Sequence, residues 1–227
     1  MWDKFTAAFI TEGRWKLYFQ GLGVTIEVAV LAAIIGLILG TILALMKLSK
    51  REDGRRSILN LIATAYVDVI RGTPSVLQLL IMWFIVLASF NNGVIVAAIS
   101  FGLNSGAYVS EIVRAGILAV DEGQMEAGRS LGMSKAMTMR YVVLPQAMKS
   151  IIPPLGNEFI TLLKETAIVG YVSLTDLTRA ANQIASRTYE AFMPLIGAAV
   201  LYFVVIKILS LGLARVETAF RASDARS

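Results

Sequence analysis

Glu158, Lys164 and Glu165 put three charges into one stretch of a chain that is otherwise strongly apolar. A charge at bilayer depth costs about 2.5–3.5 kcal/mol even on lenient scales, so such groups face a cavity, a partner or the interface. On a helix, Glu158 and Glu165 are seven apart and share one stripe, with Lys164 about 100° around. A face of both signs can hold the ammonium and carboxylate of a zwitterion, or it can form an internal ion-pair network. Upstream, Gly72, Thr73 and Pro74 interrupt an apolar run. Irregular backbone at membrane depth is tolerated where it lines a cavity or binding site. Thr73, Gln78 and, further on, Asn104 and Ser105 bring neutral polar groups, and Thr73, Gln78, Asn104, Glu158, Lys164 and Glu165 are the candidate substrate-binding residues. The i,i+3 pairs Asp68/Arg71 and Glu111/Arg114 are expected to be structural ion pairs. Gly36/Gly40 and Gly102/Gly106, each four apart, predict close helix packing rather than ligand contacts.

A second kind of chemistry sits in residues 121–145, a polar, helix-compatible island between apolar runs. Asp121 can cap a helix, Leu131-Gly132 reads as a helix end with Gly in the left-handed position, and Ser134 can cap a second short helix that Pro145 stops. An aqueous segment with this much order is expected to dock another molecule.

The elements that must hold these groups are membrane helices. Of 227 residues 56% are hydrophobic and only 16% charged, against about 25% charged in soluble domains, and the mean hydropathy is +0.69. One membrane domain over 1–227 is expected. Cysteine and histidine are absent, which excludes disulfides, thiolate metal sites and Cys or His catalysis, and no metal site is predicted. Residues 1–20 mix charges with aromatics and lack the compact core of a cleavable signal peptide; they suit an interfacial segment.

Five spans are predicted, at about 22–46, 58–88, 93–120, 150–174 and 191–213. The second is too long for one straight crossing and reads as a long helix, or helix plus elbow, broken at residues 72–74. The fourth is the most polar. Lys47, Lys50, Arg51, Arg55 and Arg56, together with the cations of the island and of the C-terminal segment including Arg221 and Arg226, fall on one side. The other side holds Lys4, Arg14, Lys16, Arg179 and Arg187. That bias predicts N-out, C-in topology with the island in the cytoplasm, and it accounts for the net charge of +5 without nucleic acid. A four-span model that leaves out 150–174 would bring the 175–190 loop to the cytoplasmic side.

Glu126-Ala127-Gly128, then Leu131-Gly132, then Leu144-Pro145 resemble the EAA loop of ATP-binding-cassette (ABC) importer permeases. The residues from Gly21 to Glu27, Ala65 to Pro74, Gly106 to Arg114 and Leu144 to Thr166 follow in the order of the polar amino acid permeases of that superfamily, so the resemblance covers roughly residues 20 to 215. It implies an all-α type I importer permease fold in the bacterial plasma (inner) membrane, with residues around 121–131 as a coupling helix lodged in a separate ATPase. Glu126 would make the polar contact there, Met125, Ala127 and Leu131 the apolar face, with Asp121 capping and Gly132 as pivot. Gly128 stands where the family usually has a second Ala; it weakens an exposed helix by about 1 kcal/mol, puts tight packing at that point in doubt, and has no explanation in the sequence.

The chain contains no GxxxxGK[ST] sequence to cradle phosphates. No cofactor is therefore expected in this chain, and ATP and Mg would be bound by the partner ATPase. The resemblance further implies a second permease subunit, same or related, an extracytoplasmic amino-acid-binding protein, and a polar or charged amino acid as substrate. Such a chain is a transport subunit and not an enzyme. The rival class is an ion-coupled secondary transporter or channel using Glu158 and Glu165 as relays; a purely structural subunit is a third.

Overall fold

The computed structural model describes residues 1–49 and 57–224, with side chains as far as Phe220. Lys50, Arg51, Arg55, Arg56 and Arg226 of the predicted cytoplasmic charge lie outside the described residues, and Arg221 lies beyond the described side chains. A short helix α1 (Trp2–Phe5), followed by wide and tight turns to Gly13, leads into α2 (Trp15–Leu48). α2 begins well before residue 22, because the Arg14 guanidinium donates to the Ala7 carbonyl at 2.6 Å and ties the N-terminal segment to the helix entry.

The small residues of α2 form its buried stripe, from Gly21 and Thr25 through Ala32 and Gly36 to Gly40 and Ala44. From Ala32 to Ala44 the stripe packs on α5 (Gly93–Leu118), while Gly21 and Thr25 meet Asp176 and Leu177 further along the chain. A Cβ on Gly40 would lie 2.6 Å from the Val109 side chain, and one on Gly102 would lie 2.6 Å from Ile35. Both glycine pairs thus serve close helix packing, as predicted, since backbones can approach only where Cβ is missing.

Between them, α3 (Ile58–Arg71) and α4 (Ser75–Ile81, continued by a π-turn to Val86) meet at a 103° bend. Ser57 caps α3 by accepting from the Asn60 amide at 3.1 Å. Pro74 has no amide hydrogen and drives Thr73 out of the helical region, so the helix must break there. The elbow alternative is the one realised.

After α5 come α6 (Glu122–Ser130), α7 (Lys135–Thr138) and α8 (Leu144–Glu165), the last two joined by a π-turn over Met139–Val143. Pro145 therefore does not stop the helix that Ser134 starts. It falls in the first turn of α8, where no amide hydrogen is required, and α8 continues through Pro153 and Pro154. A 3₁₀ segment (Thr166–Val172), then α9 (Leu177–Thr188) and α10 (Phe192–Asp224), complete the order. α9 occupies what reads in sequence as an outer loop, and α10 extends past the predicted end at 213.

Among the described residues three clusters form the core: Tyr18, Leu177, Ala181, Ile184 and Ala198 make up one, and the other two each join α2, α5 and α8. Of these two, one gathers Val28 and Ala32 of α2, Leu79 of α4, Phe101 of α5, Leu162 of α8 and Val169 and Val172 of the 3₁₀ segment. The other joins Ala44, Val113, Ile117, Ala147 and Ile151 near the opposite ends of the same helices. Among the described residues three helices are long and apolar enough to cross a membrane, α2, α5 and α10, and four if the bent pair is one span. α8 does not meet that measure, so the predicted count of five turns on α8 and on the bent pair.

Candidate coupling surface and translocation site

The polar island folds as a helix, a glycine turn and a second helix. Asp121 accepts from the Gly123 amide at 2.7 Å and caps α6. At the other end Gly132 sits at φ +83. Its amide donates to the Arg129 carbonyl at 3.0 Å, and the Met133 amide donates to the Gly128 carbonyl at 3.1 Å. These two bonds close the helix end in the way a left-handed glycine permits. Ser134 then accepts from the Met137 amide at 3.2 Å and starts α7.

Gly128 is buried, and a Cβ there would stand 2.4 Å from Thr138 Cγ2 and 2.9 Å from its Oγ1. Packing at Gly128 is thus tight, which gives the glycine its reason: α6 rests its bare backbone on the fully buried Thr138 of α7. The signal was invisible in sequence because Thr138 looks like any polar helix residue. Gln146 of α8 also donates to Gln124 of α6 at 3.2 Å. The outward surface carries Glu126, Ala127 and Leu131, the last 84% exposed, while Met125 is half-buried.

At the elbow, the Gln78 amide nitrogen donates to the Ile70 carbonyl at 2.8 Å and to Thr73 Oγ1 at 2.6 Å. It thereby satisfies a carbonyl that the broken helix leaves open. The other end of the same amide accepts from Asn104 Nδ2 at 2.9 Å. The next residue, Ser105, donates to Glu158 Oε1 at 2.8 Å. Asn104 and Ser105 are 5% and 2% exposed. The break in the second span and the acidic face of α8 therefore converge on adjacent positions of α5. A cavity of about 260 Å³ opens beside the elbow, with Thr73, Gln78 and Ser100 in its wall. Lys164 is exposed and Glu165 half-buried further along α8, and among the described residues neither makes an ion pair or hydrogen bond to Glu158.

Glu111 and Arg114 form the expected pair, at 2.8 Å, and Lys47 of α2 joins on the second carboxylate oxygen. Asp68 and Arg71 do not pair. The Arg71 guanidinium lies over the Tyr108 ring instead, 5.1 Å from its centroid, because the aromatic face on α5 is within reach and cation–π contact suits a flat guanidinium.

Long apolar helices with polar side chains converging inside the bundle suit a membrane transporter. A family model described as binding-protein-dependent transport system inner membrane component matches residues 36–222. The chain belongs to that family. The permease is 44% identical over 208 residues to the arginine transport system permease protein ArtQ of Bacillus subtilis, covering 90% of this chain and 93% of ArtQ. It is 38% identical over 214 residues to the L-cystine transport system permease protein TcyB of the same organism, covering 92% and 87%. A solved amino acid ABC transporter with histidines matches at TM-score 0.82 and 45% identity, over 90% of this chain and 94% of that one. The permease is thus the membrane subunit of an ABC importer, a multi-pass inner-membrane protein whose ATPase is a separate subunit.

Proposed function

We propose that this permease imports a polar or charged amino acid, crossing the membrane five times with its N-terminus outside and its C-terminus inside. The observation that carries the substrate class is the convergence of Thr73, Gln78, Asn104, Ser105 and Glu158 on one level of α5. Neutral amides and hydroxyls beside a carboxylate suit an ammonium and its polar neighbours, and Lys164 offers a cation for the opposite end. The names of ArtQ and TcyB, with the amino acid transporter of similar fold, support the same class.

The partners follow from the same reading: two ATPase subunits that bind ATP and Mg, a second permease subunit, and an extracytoplasmic amino-acid-binding protein. ATPase closure would push on Glu126, Ala127 and Leu131, with Asp121 and Met125 holding α6 in shape. Gly128 packed on Thr138, and Gln146 bonded to Gln124, would carry that motion through α7 into α8, where Glu158 sits. The pivot would be Gly132.

The test is uptake by the purified complex in ATP-loaded vesicles with no ion gradient. Accumulation of an amino acid under those conditions is expected, and uptake that follows a proton or sodium gradient instead would favour the ion-coupled alternative. Glu158→Gln and Thr73→Val are each expected to weaken substrate affinity or rate. Wild-type values from both would move the site elsewhere.

A further inference from the structure

A larger cavity, about 740 Å³, lies between α9 and the 3₁₀ segment, away from both surfaces described above. α9 turns Leu177, Ala180, Ala181 and Ile184 into the core. Its other face presents Thr178, Arg179, Asn182, Gln183, Ser186 and Arg187 to the cavity, a spacing that puts all six on one side of a helix. Two of the lining residues are guanidinium-bearing and none carries a carboxylate. The nearby Asp176 is buried and commits its oxygens to the amides of Thr178 and Arg179, at 2.9 and 3.0 Å. Arg179 donates one nitrogen to the Gly170 carbonyl. Arg187 and Asn182 are exposed, and the side-chain donors of both have no hydrogen-bond or ion-pair partner among the described residues, so only water competes with a ligand for them.

We infer that this cavity is an outer capture site for the free α-carboxylate of the transported amino acid, occupied before the deeper cluster around Gln78 and Glu158. A guanidinium fork matches a carboxylate in geometry as well as charge, and the volume is that of a small-molecule site. The 3₁₀ wall ties the cavity to the deeper cluster by packing: it follows Lys164 and Glu165 directly, and its buried Val169 and Val172 pack with Leu79 of the elbow. The inference rests on the importer reading above, which places α9 outside.

Because the chain has no cysteine, Ser186→Cys creates a unique thiol in the permease band. In the reconstituted complex with its ATPase, this thiol is expected to react faster with an anionic methanethiosulfonate than with a cationic one. A mixture of the common L-amino acids should slow the reaction, and a mixture of their α-amides should not. Adding Arg187→Gln should weaken that protection about tenfold or more, whereas Arg187→Lys should retain part of it. Equal protection by acids and amides, no protection by either, or protection only by the binding protein would overturn the site. A thiol inert to all reagents in the complex would also overturn it, since a second copy then covers the cavity. Loss of ATP-driven uptake in the wild-type complex would count against the importer reading alone, because protection is read without ATP.

Discussion

Gly128 is the residue at which composition and structure argue in opposite directions. Helix propensity alone favours Ala there by about 1 kcal/mol, but the added methyl would meet Thr138 Cγ2 at 2.4 Å. Overpacking of that kind costs about 1–3 kcal/mol. Gly128→Ala is therefore expected to lower the thermal midpoint of the complex and its ATP-driven uptake, and Gly128→Ala with Thr138→Ser should recover part of both, since Ser lacks the clashing methyl. Full activity in the single variant would mean that α6 does not transmit through this contact. Asp176 makes a second argument at this scale. Burial raises its pKa above the ordinary 3.8, against the hydrogen bonds from the first turn of α9, which lower it. A raised folded pKa means that the proton stabilises the fold: its contribution is full below 3.8 and is lost as pH rises through the folded value. Asp176→Asn keeps an acceptor for the cap without the buried charge, so it should leave stability at neutral pH unchanged or higher and flatten its rise on mild acidification. Asp176→Ala removes the cap and should cost about 1 kcal/mol. Thermal unfolding across pH distinguishes the three.

The elements divide by how locally their signals are written. The break at residues 72–74, the caps at Asp121 and Ser134, and the left-handed end at Gly132 were all legible, because each depends on the backbone preference of a few consecutive residues. Pro145 misled because a proline in a first turn and a proline that ends a helix look alike until the preceding π-turn is known. α9 was missed although Leu177, Ala180, Ala181 and Ile184 have helical spacing, since Arg179 and Arg187 made the segment read as an outer loop. Lys47 on Glu111 and Arg71 on Tyr108 join different helices, and nothing in one sequence pairs them. The candidate polar cluster was legible as residue types, while the route through Gln78 to Asn104 was not. That route gives the elbow its own test. Gln78→Leu strips Asn104 of its partner and leaves the Ile70 carbonyl only the Thr73 hydroxyl at 3.4 Å, and an unsatisfied buried polar group costs about 1–3 kcal/mol. Faster hydrogen exchange around residues 70–78 and reduced uptake are expected. Unchanged exchange would show that the bend stands on Pro74 alone. At the other hinge, space around Gly132 is open and only its positive φ is restrictive. Gly132→Asn, which tolerates that region, should keep most transport, and Gly132→Val should lose it.

For the whole molecule the deciding element is α8, which composition leaves open together with the bent α3–α4 pair. Its start packs with Ala44, Val113 and Ile117, beside the island, and its later turns reach Val28, Ala32 and Phe101 at the opposite end of α2 and α5. α9 then abuts Gly21, near the beginning of α2: a Cβ on Gly21 would meet the Asp176 carbonyl at 2.6 Å. If α2 crosses the bilayer, as its length and hydropathy permit, the island and α9 lie on opposite faces and α8 joins them. The exposed polar stripe of Asn157, Thr161 and Lys164 on α8 also fits this reading, because lipid cannot solvate it and a second permease chain or a water-filled path can. Impermeant thiol reagents test the arrangement. Ser130→Cys is expected to react only in inverted vesicles, and Ser186→Cys, with the binding protein absent, only from outside in right-side-out vesicles. Labelling of both from the same side would mean that α8 turns back within the membrane, and the four-span arrangement would replace the five-span one.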